Sequence, residues 1–152
     1  MTTRDLRIGN YVGFKNRTDC YCEVVDLSYG GGIHIARIFG DGTEDDQPEV
    51  IEDITGLPLT EDWLKKFGFT QVDHATRLGP CPFYILQLRD DTSDILALRH
   101  YHKGGYLWGF TEDESVEERP SEIGSPKPIE FVHTLQNFWY FLTGQELTIK
   151  NQ

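Results

Sequence analysis

The stretch that decides the fold is Phe131-Val132-His133-Thr134-Leu135-Gln136-Asn137-Phe138-Trp139-Tyr140-Phe141-Leu142-Thr143-Gly144. Phe131, Val132, Leu135, Phe138, Trp139 and Leu142 recur at the three- and four-residue spacing of a helix with one buried face. At about 2 kcal/mol per large side chain buried, this stripe contributes on the order of 10 kcal/mol gross, comparable to the net stability of a whole domain. The helix is therefore expected to close the core, starting near Ile129 just after Pro128 and ending at Gly144. Beside the apolar stripe, His133, Gln136, Asn137 and Tyr140 form a polar edge at the same helical spacing. Either this edge hydrogen-bonds a neighbouring loop or sheet, as a boundary stripe must, or it is a recognition surface. In the second case its amides and rings, with Trp108 and Tyr106 nearby, would hold a small molecule or a peptide.

Upstream of this helix, Thr111 to Pro128 reads as an acidic loop rich in Pro and Ser. Before it come three predicted strands, Phe83 to Leu88, Ile95 to Tyr101 and Gly105 to Phe110, joined by the hairpin loops Arg89 to Asp94 and His102 to Gly105. They imply an antiparallel meander. Earlier still, Thr60 is a helix N-cap followed by Glu61 and Asp62, with Leu59 and Leu64 at the spacing of a hydrophobic staple. Lys65 and Lys66 suit the last turn, and Gly68 suits a left-handed end. The first 58 residues read as short strands, Tyr11 to Lys15, Tyr21 to Leu27, Ile33 to Phe39 and Glu49 to Ile54, with turns at Tyr29-Gly30-Gly31-Gly32 and Gly40-Asp41-Gly42. The expected fold class is α+β. A small SH3-like β-barrel subdomain over 1–58 is followed by a helix, the three-stranded meander and the C-terminal helix over 59–152. The two are packed as one unit, because a barrel of that size alone is marginal.

The net charge of −11 is uneven. Asp41 to Asp53 holds seven acids and no base, and Glu112 to Glu122 holds six acids and one arginine. Together they carry −12, so the remainder of the chain carries +1. We read both segments as acidic flaps on a nearly neutral body. Solvated solubilising loops are the plain interpretation. The sharper one is a patch aimed at a basic partner, with Asp41, Glu44, Asp45, Asp46, Glu112, Asp113 and Glu114 at its centre. Direct binding to nucleic acid or to an anionic membrane is disfavoured. A cation site in the first flap lacks the regular acid spacing and twelfth-position Glu of a helix-loop-helix calcium loop.

No apolar run approaches the roughly 20 residues that span a bilayer, and Met1 to Leu6 lacks the apolar core of a signal peptide. The odd cysteine count, Cys20, Cys22 and Cys81, suits a reducing compartment. The expected location is a bacterial or infected-host cytosol.

Two longer blocks carry a resemblance. One is Gly56-Leu57-Pro58-Leu59-Thr60-Glu61-Asp62-Trp63-Leu64-Lys65-Lys66-Phe67-Gly68-Phe69, and the other is His133 through Leu147. With Leu6-Arg7-Ile8-Gly9-Asn10-Tyr11-Val12, they resemble a family of small uncharacterised proteins of Bacteroidetes genomes and their phages. That family begins with an Ile-Gly-Asn element, carries Pro-Leu-Thr-Glu-x-Trp-Leu in the middle, and ends in a Leu-Gln-Asn-aromatic helix followed by Leu-Thr-Gly-x-Glu-Leu. The resemblance implies a phage or mobile-element accessory protein. It transfers no functional residue, because the family has no assigned activity. The long acidic insertions depart from the family's shorter loops.

No catalytic, metal or cofactor motif stands out. His100 and His102, two apart on a predicted strand, could join His74 or Cys81 around zinc, but no paired Cys or His motif supports them and sheet-surface histidines are expected. Cys81 lies between Pro80 and Pro82 in an expected rigid turn, so a structural thiol is expected rather than a nucleophile served by His74 or His100. The acid pairs Asp90 with Asp94 and Asp45 with Asp46 fall in expected loops, without the cleft that paired-carboxylate catalysis needs. The glycine triplet lacks the Gly-Lys-Ser/Thr end of a phosphate loop. The leading expectation is a non-enzymatic protein that binds, and so can inhibit, a host or phage protein. One alternative is a small-ligand or nucleotide-sequestering module using Arg99, Arg89, Lys103 and Tyr101. Another is a virion or assembly component, which would form a symmetric oligomer.

Overall fold

The computed structural model describes residues 5–15, 17–27, 33–39, 44–49, 54–76, 79–88, 94–112 and 127–150. The chain is mixed α+β, with two antiparallel sheets and two helices among the described residues. It divides into two compact units. The first joins 1–58 to 131–146, and the second joins 59–130 to 147–152. The C-terminal helix groups with the N-terminal strands and not with 59–130.

In the first unit, β1 (Tyr11–Phe14), β2 (Arg17–Leu27), β3 (Ile33–Phe39), β4 (Glu44–Glu49) and β5 (Ile54–Thr55) form one sheet in the order β4-β3-β2-β1-β5. Alternate residues turn to one face and build the core: Val12, Cys22, Val24, Ile33, Ile35 and Ile54, capped by Leu6 and flanked by Phe14 and Leu27. The consecutive valines show what selects the face. The register slips between Val24 and Asp26, and Val25 is left 40% exposed while Val24 is fully buried. Among the described residues β4 and β5, the two ends of the order, do not pair, so the sheet is open where a closed barrel was expected. The first acidic flap is also revised. Glu44–Glu49 is a strand paired with β3 from Ile38↔Glu44 to Ile33↔Glu49, where a loop was expected before Glu49; of the strand expected over Glu49 to Ile54, residues 50–53 lie outside the described residues. Cross-strand partners satisfy its backbone in spite of the poor intrinsic strand preference of Glu, Asp and Pro. The glycine turns at 29–32 and 40–42 lie outside the described residues.

The helix of this unit is α2 (Val132–Thr143), which packs against β1. It starts three residues later than expected. Phe131 is the N-cap and has no side-chain cap bond. The first turn is satisfied instead by the Val132 amide, which donates to Leu57 O at 2.9 Å beside the Pro58↔Phe131 bridge. Val132, Leu135 and Trp139 are buried, as the stripe required, while Phe131 is exposed. Gly144 ends the helix at φ 73°, its amide donating to Tyr140 O.

In the second unit, α1 (Glu61–Lys66) has the expected start, with Thr60 Oγ1 accepting from the Trp63 amide. Its end is as expected too, with Gly68 at φ 87°. Leu59 and Leu64 are both buried. β6 (Thr70–Thr76), β7 (Gly79–Gln87), β8 (Ile95–His100) and β9 (Tyr106–Thr111) form a sheet in the order β6-β7-β8-β9. The sequence pointed to three of these strands. It missed β6, in which Val72 is the lone large apolar residue, and which is a strand because β7 pairs with it from Thr70↔Ile85 to Thr76↔Gly79. Both faces of the sheet carry buried residues. Phe83, Ile85, Ile95 and Ala97 cluster on one, and Tyr84, Leu96, Leu98 and Tyr106 lie on the other. That is why β7 and β8 read as nearly continuous apolar runs. Ile129 is not helical, since it exchanges both backbone hydrogen bonds with Tyr106 at 2.8 Å. After Leu147, which is buried, the tail closes on α1 through the Lys150 amide donating to Lys66 O. No helix among the described residues is long and apolar enough to cross a membrane.

Candidate functional site

The polar edge of α2 lies against the segment that leads into β1. Gln136, 1% exposed, uses both ends of its amide. Its Oε1 accepts from the Tyr11 amide at 2.7 Å, and its Nε2 donates to Gly9 O at 2.9 Å. Gly9 sits at φ 86°, a conformation that favours glycine and turns its carbonyl to the helix. Asn10 closes the same turn, its Oδ1 accepting from the Arg7 amide. One position along the helix, Asn137 Nδ2 donates to Asp5 O at 2.9 Å. One turn further, the Arg7 guanidinium lies 3.5 Å above the centroid of the Tyr140 ring. Arg7 Nη2 also bonds Glu146 Oε1 at 2.7 Å. That ion pair is about a third exposed, so it contributes at most about 1 kcal/mol. The same carboxylate holds the guanidinium that lies on the ring.

His133 is 7% exposed and stacks on Phe131 with ring centroids 5.7 Å apart. A side chain at Gly56 would crowd both rings, so the glycine is a packing requirement there. Burial lowers the imidazole pKa, and the Asp5 carboxylate offsets part of that shift. His133 Nδ1, Asn137 Oδ1, Asn10 Nδ2 and Arg7 Nη1 are buried with no protein partner.

The structure therefore brings Gln136, Asn137 and Tyr140 together on residues 5–11, while His133 stacks on Phe131. The visible use of the first three is to hold that segment. Sequence reasoning missed Arg7, Asn10 and Glu146, which complete the arrangement. The available signal was their place inside the blocks Leu6 to Val12 and His133 to Leu147.

Trp108, Arg99 and Tyr101 belong to the second unit and do not form one group. Arg99 pairs with Phe83 and Leu107, and Trp108 pairs with Leu98, which puts Arg99 and Trp108 on opposite faces of the sheet. Trp108 stands edge-on to Phe110, and Tyr101 closes the turn to Gly105 beside the His102 ring. His102 lies in that turn beyond the end of β8, so it does not share a strand face with His100, whose ring packs on Tyr106. Cys81 is in β7 opposite His74, not in a turn, because β6 pairs with that stretch. No group of three or more His, Cys, Asp or Glu among the described residues could hold a metal ion. A polar contact that the sequence did not suggest joins the buried Tyr84 to the exposed Glu61. The phenol pKa is raised, first by burial and then by its hydrogen bond to that carboxylate.

Of the acidic candidates, Glu44, Asp45 and Asp46 lie on β4, and Glu112 is exposed just after β9. Asp41, Asp113 and Glu114 lie outside the described residues. No family model, curated protein or solved structure matches the chain.

Proposed function

We propose that the chain is a non-enzymatic accessory protein of phage or mobile-element type that binds a basic surface on a host or phage protein. The observation that carries this reading is β4. Four carboxylates, Glu44, Asp45, Asp46 and Glu49, are concentrated on the edge strand of a sheet, in a protein whose charge outside the two acidic segments is +1. The register puts Glu44 and Asp46 at positions of one face and Asp45 and Glu49 at positions of the other, so the charge is set out along the strand edge, where a basic partner would meet it. Pro48 argues against recognition by strand addition. It has no N–H, so in a regular ladder its backbone faces away from β3 and removes one donor from the outer edge. Recognition then rests on charge.

The N-terminal sheet, with four strands in sequence order and a short fifth returning beside the first, supports an SH3-like reading of this unit. The alternative ligand site on Arg99, Arg89, Lys103 and Tyr101 gains no specific observation in its favour among the described residues, and Arg89 lies outside them. The test is capture from host or infected lysate by the intact chain and by a variant with Glu44, Asp45, Asp46 and Glu49 replaced by Gln or Asn. The intact chain is expected to retain a basic protein that elutes steeply with salt and that the neutralised variant does not hold. Equal capture by both would remove β4 from the proposal.

A further inference from the structure

The contact between residues 5–10 and α2 leaves a specific set of groups unused. Arg7 Nη1 and Asn10 Nδ2 are donors, Asn137 Oδ1 is an acceptor, and His133 Nδ1 is an acceptor in the Nε2–H tautomer; none of the four has a protein partner and all are buried. Asn10 is fully buried and His133 nearly so. The segments bearing these groups are fixed to one another. Asn137 holds Asp5, Gln136 holds Gly9 and Tyr11, and Arg7 and Asn10 are tied through their own backbone and side chain. Burying four unmatched polar groups along this helix and the segment it holds is strongly unfavourable, and swinging them to protein partners would strain the bonds that fix the segment. Two donors and two acceptors match what water offers and requires.

We propose that this contact is a hydration site, in which internal water molecules complete the hydrogen bonding of Arg7 Nη1, Asn10 Nδ2, His133 Nδ1 and Asn137 Oδ1 as a permanent part of the first unit. The site selects a ligand that both accepts and donates, and it uses His133 as an acceptor. The imidazole must then be neutral with its proton on Nε2. Burial, which disfavours the charged ring, works in that direction.

Two measurements on the intact protein test this. The first is nitrogen-15 NMR of the histidine side chains at neutral pH, with His133 assigned by comparison with His133→Gln. The expected result is the Nε2–H tautomer for His133. A proton on Nδ1 would overturn the proposal, because that atom could not then accept. The second is a high-resolution crystal structure, expected to show buried solvent density within hydrogen-bond distance of at least two of the four atoms. A dry contact, or one in which Asn137 and Asn10 pair directly, would overturn it.

Discussion

Gln136→Leu is the sharpest perturbation of the first unit. Leucine keeps nearly the volume of glutamine and its helix preference, so the change isolates two hydrogen bonds, from the Tyr11 amide at 2.7 Å and to Gly9 O at 2.9 Å. Both backbone groups stay at a site where the side chain is 1% exposed, so water cannot replace the amide without opening the contact. Leaving a buried donor or acceptor unmatched costs about 1–3 kcal/mol. The Gly9 carbonyl is only part-buried and takes the low end of that range. The expected loss is about 2–4 kcal/mol, a large part of the 5–15 kcal/mol typical of a domain. With a urea m-value of about 2 kcal/mol/M, the unfolding midpoint should fall by roughly 1–2 M. Amide exchange supplies a local reading, since Tyr11 N–H should lose protection by more than amides elsewhere in β2 and β3. Asn137→Ala, which removes one bond to Asp5 O on a half-buried helix position, should cost about 1 kcal/mol. If Gln136→Leu costs under about 0.5 kcal/mol while Tyr11 keeps its protection, the amide is not the clamp described.

Three further outcomes are expected. His133 has a lowered folded pKa, so its neutral form contributes stability that is fully present above the unfolded value near 6.5 and is lost as pH falls through the folded one; urea midpoints between pH 7 and 5 should decline less in His133→Gln, and an unchanged slope would refute the assignment. Tyr84 has a raised folded pKa, so its contribution is fully present below the unfolded value near 10 and is lost as pH climbs through the folded one. Tyr84→Phe should flatten the alkaline limb in part, Tyr106 and Tyr21 being shifted the same way. Gly144→Ala meets no atom within 4 Å and should cost only the left-handed backbone penalty, about 1–2 kcal/mol, whereas Gly105→Ala would also put its Cβ 2.7 Å from Ile129 O and should cost visibly more by thermal unfolding.

Much of the fold was legible because local chemistry and tertiary context agreed. Thr60, Glu61, Lys66 and Gly68 spell the limits of α1 without help from the rest of the chain. The apolar spacing from Val132 to Trp139 does the same for α2. What failed was whatever is decided by a neighbour. β6 has one large apolar residue, and β4 is composed of Glu, Asp, Gln and Pro, so both are strands because β7 and β3 offer them a ladder. The start of α2 moved for a similar reason. Ile129 is taken by Tyr106 and Phe131 by Pro58, and no periodicity in the helix itself encodes those bridges. The polar edge was visible as a stripe, but its partners lie more than a hundred residues away, so the sequence could not choose between clamp and binding site.

The blocks that carried the family resemblance can now be followed residue by residue. Gly9 and Asn10 form the turn that Gln136 holds, and Leu57 and Pro58 receive the start of α2. Thr60 caps α1, Gly144 ends α2, Glu146 steers Arg7 onto Tyr140, and Leu147 is buried. Ile8 and Phe141, in the same blocks, are exposed, so the pattern describes a way of folding in most but not all of its members, and it is compatible with many partners. In the proposed function, specificity comes from positions the pattern does not contain. The acidic strand β4 is such a place: it lies outside all three blocks and holds four carboxylates on a sheet edge. Charge-neutralising β4 should therefore leave the stability of the first unit nearly intact while abolishing partner capture, and Gln136→Leu should lower stability without changing which partner is captured by the protein that remains folded.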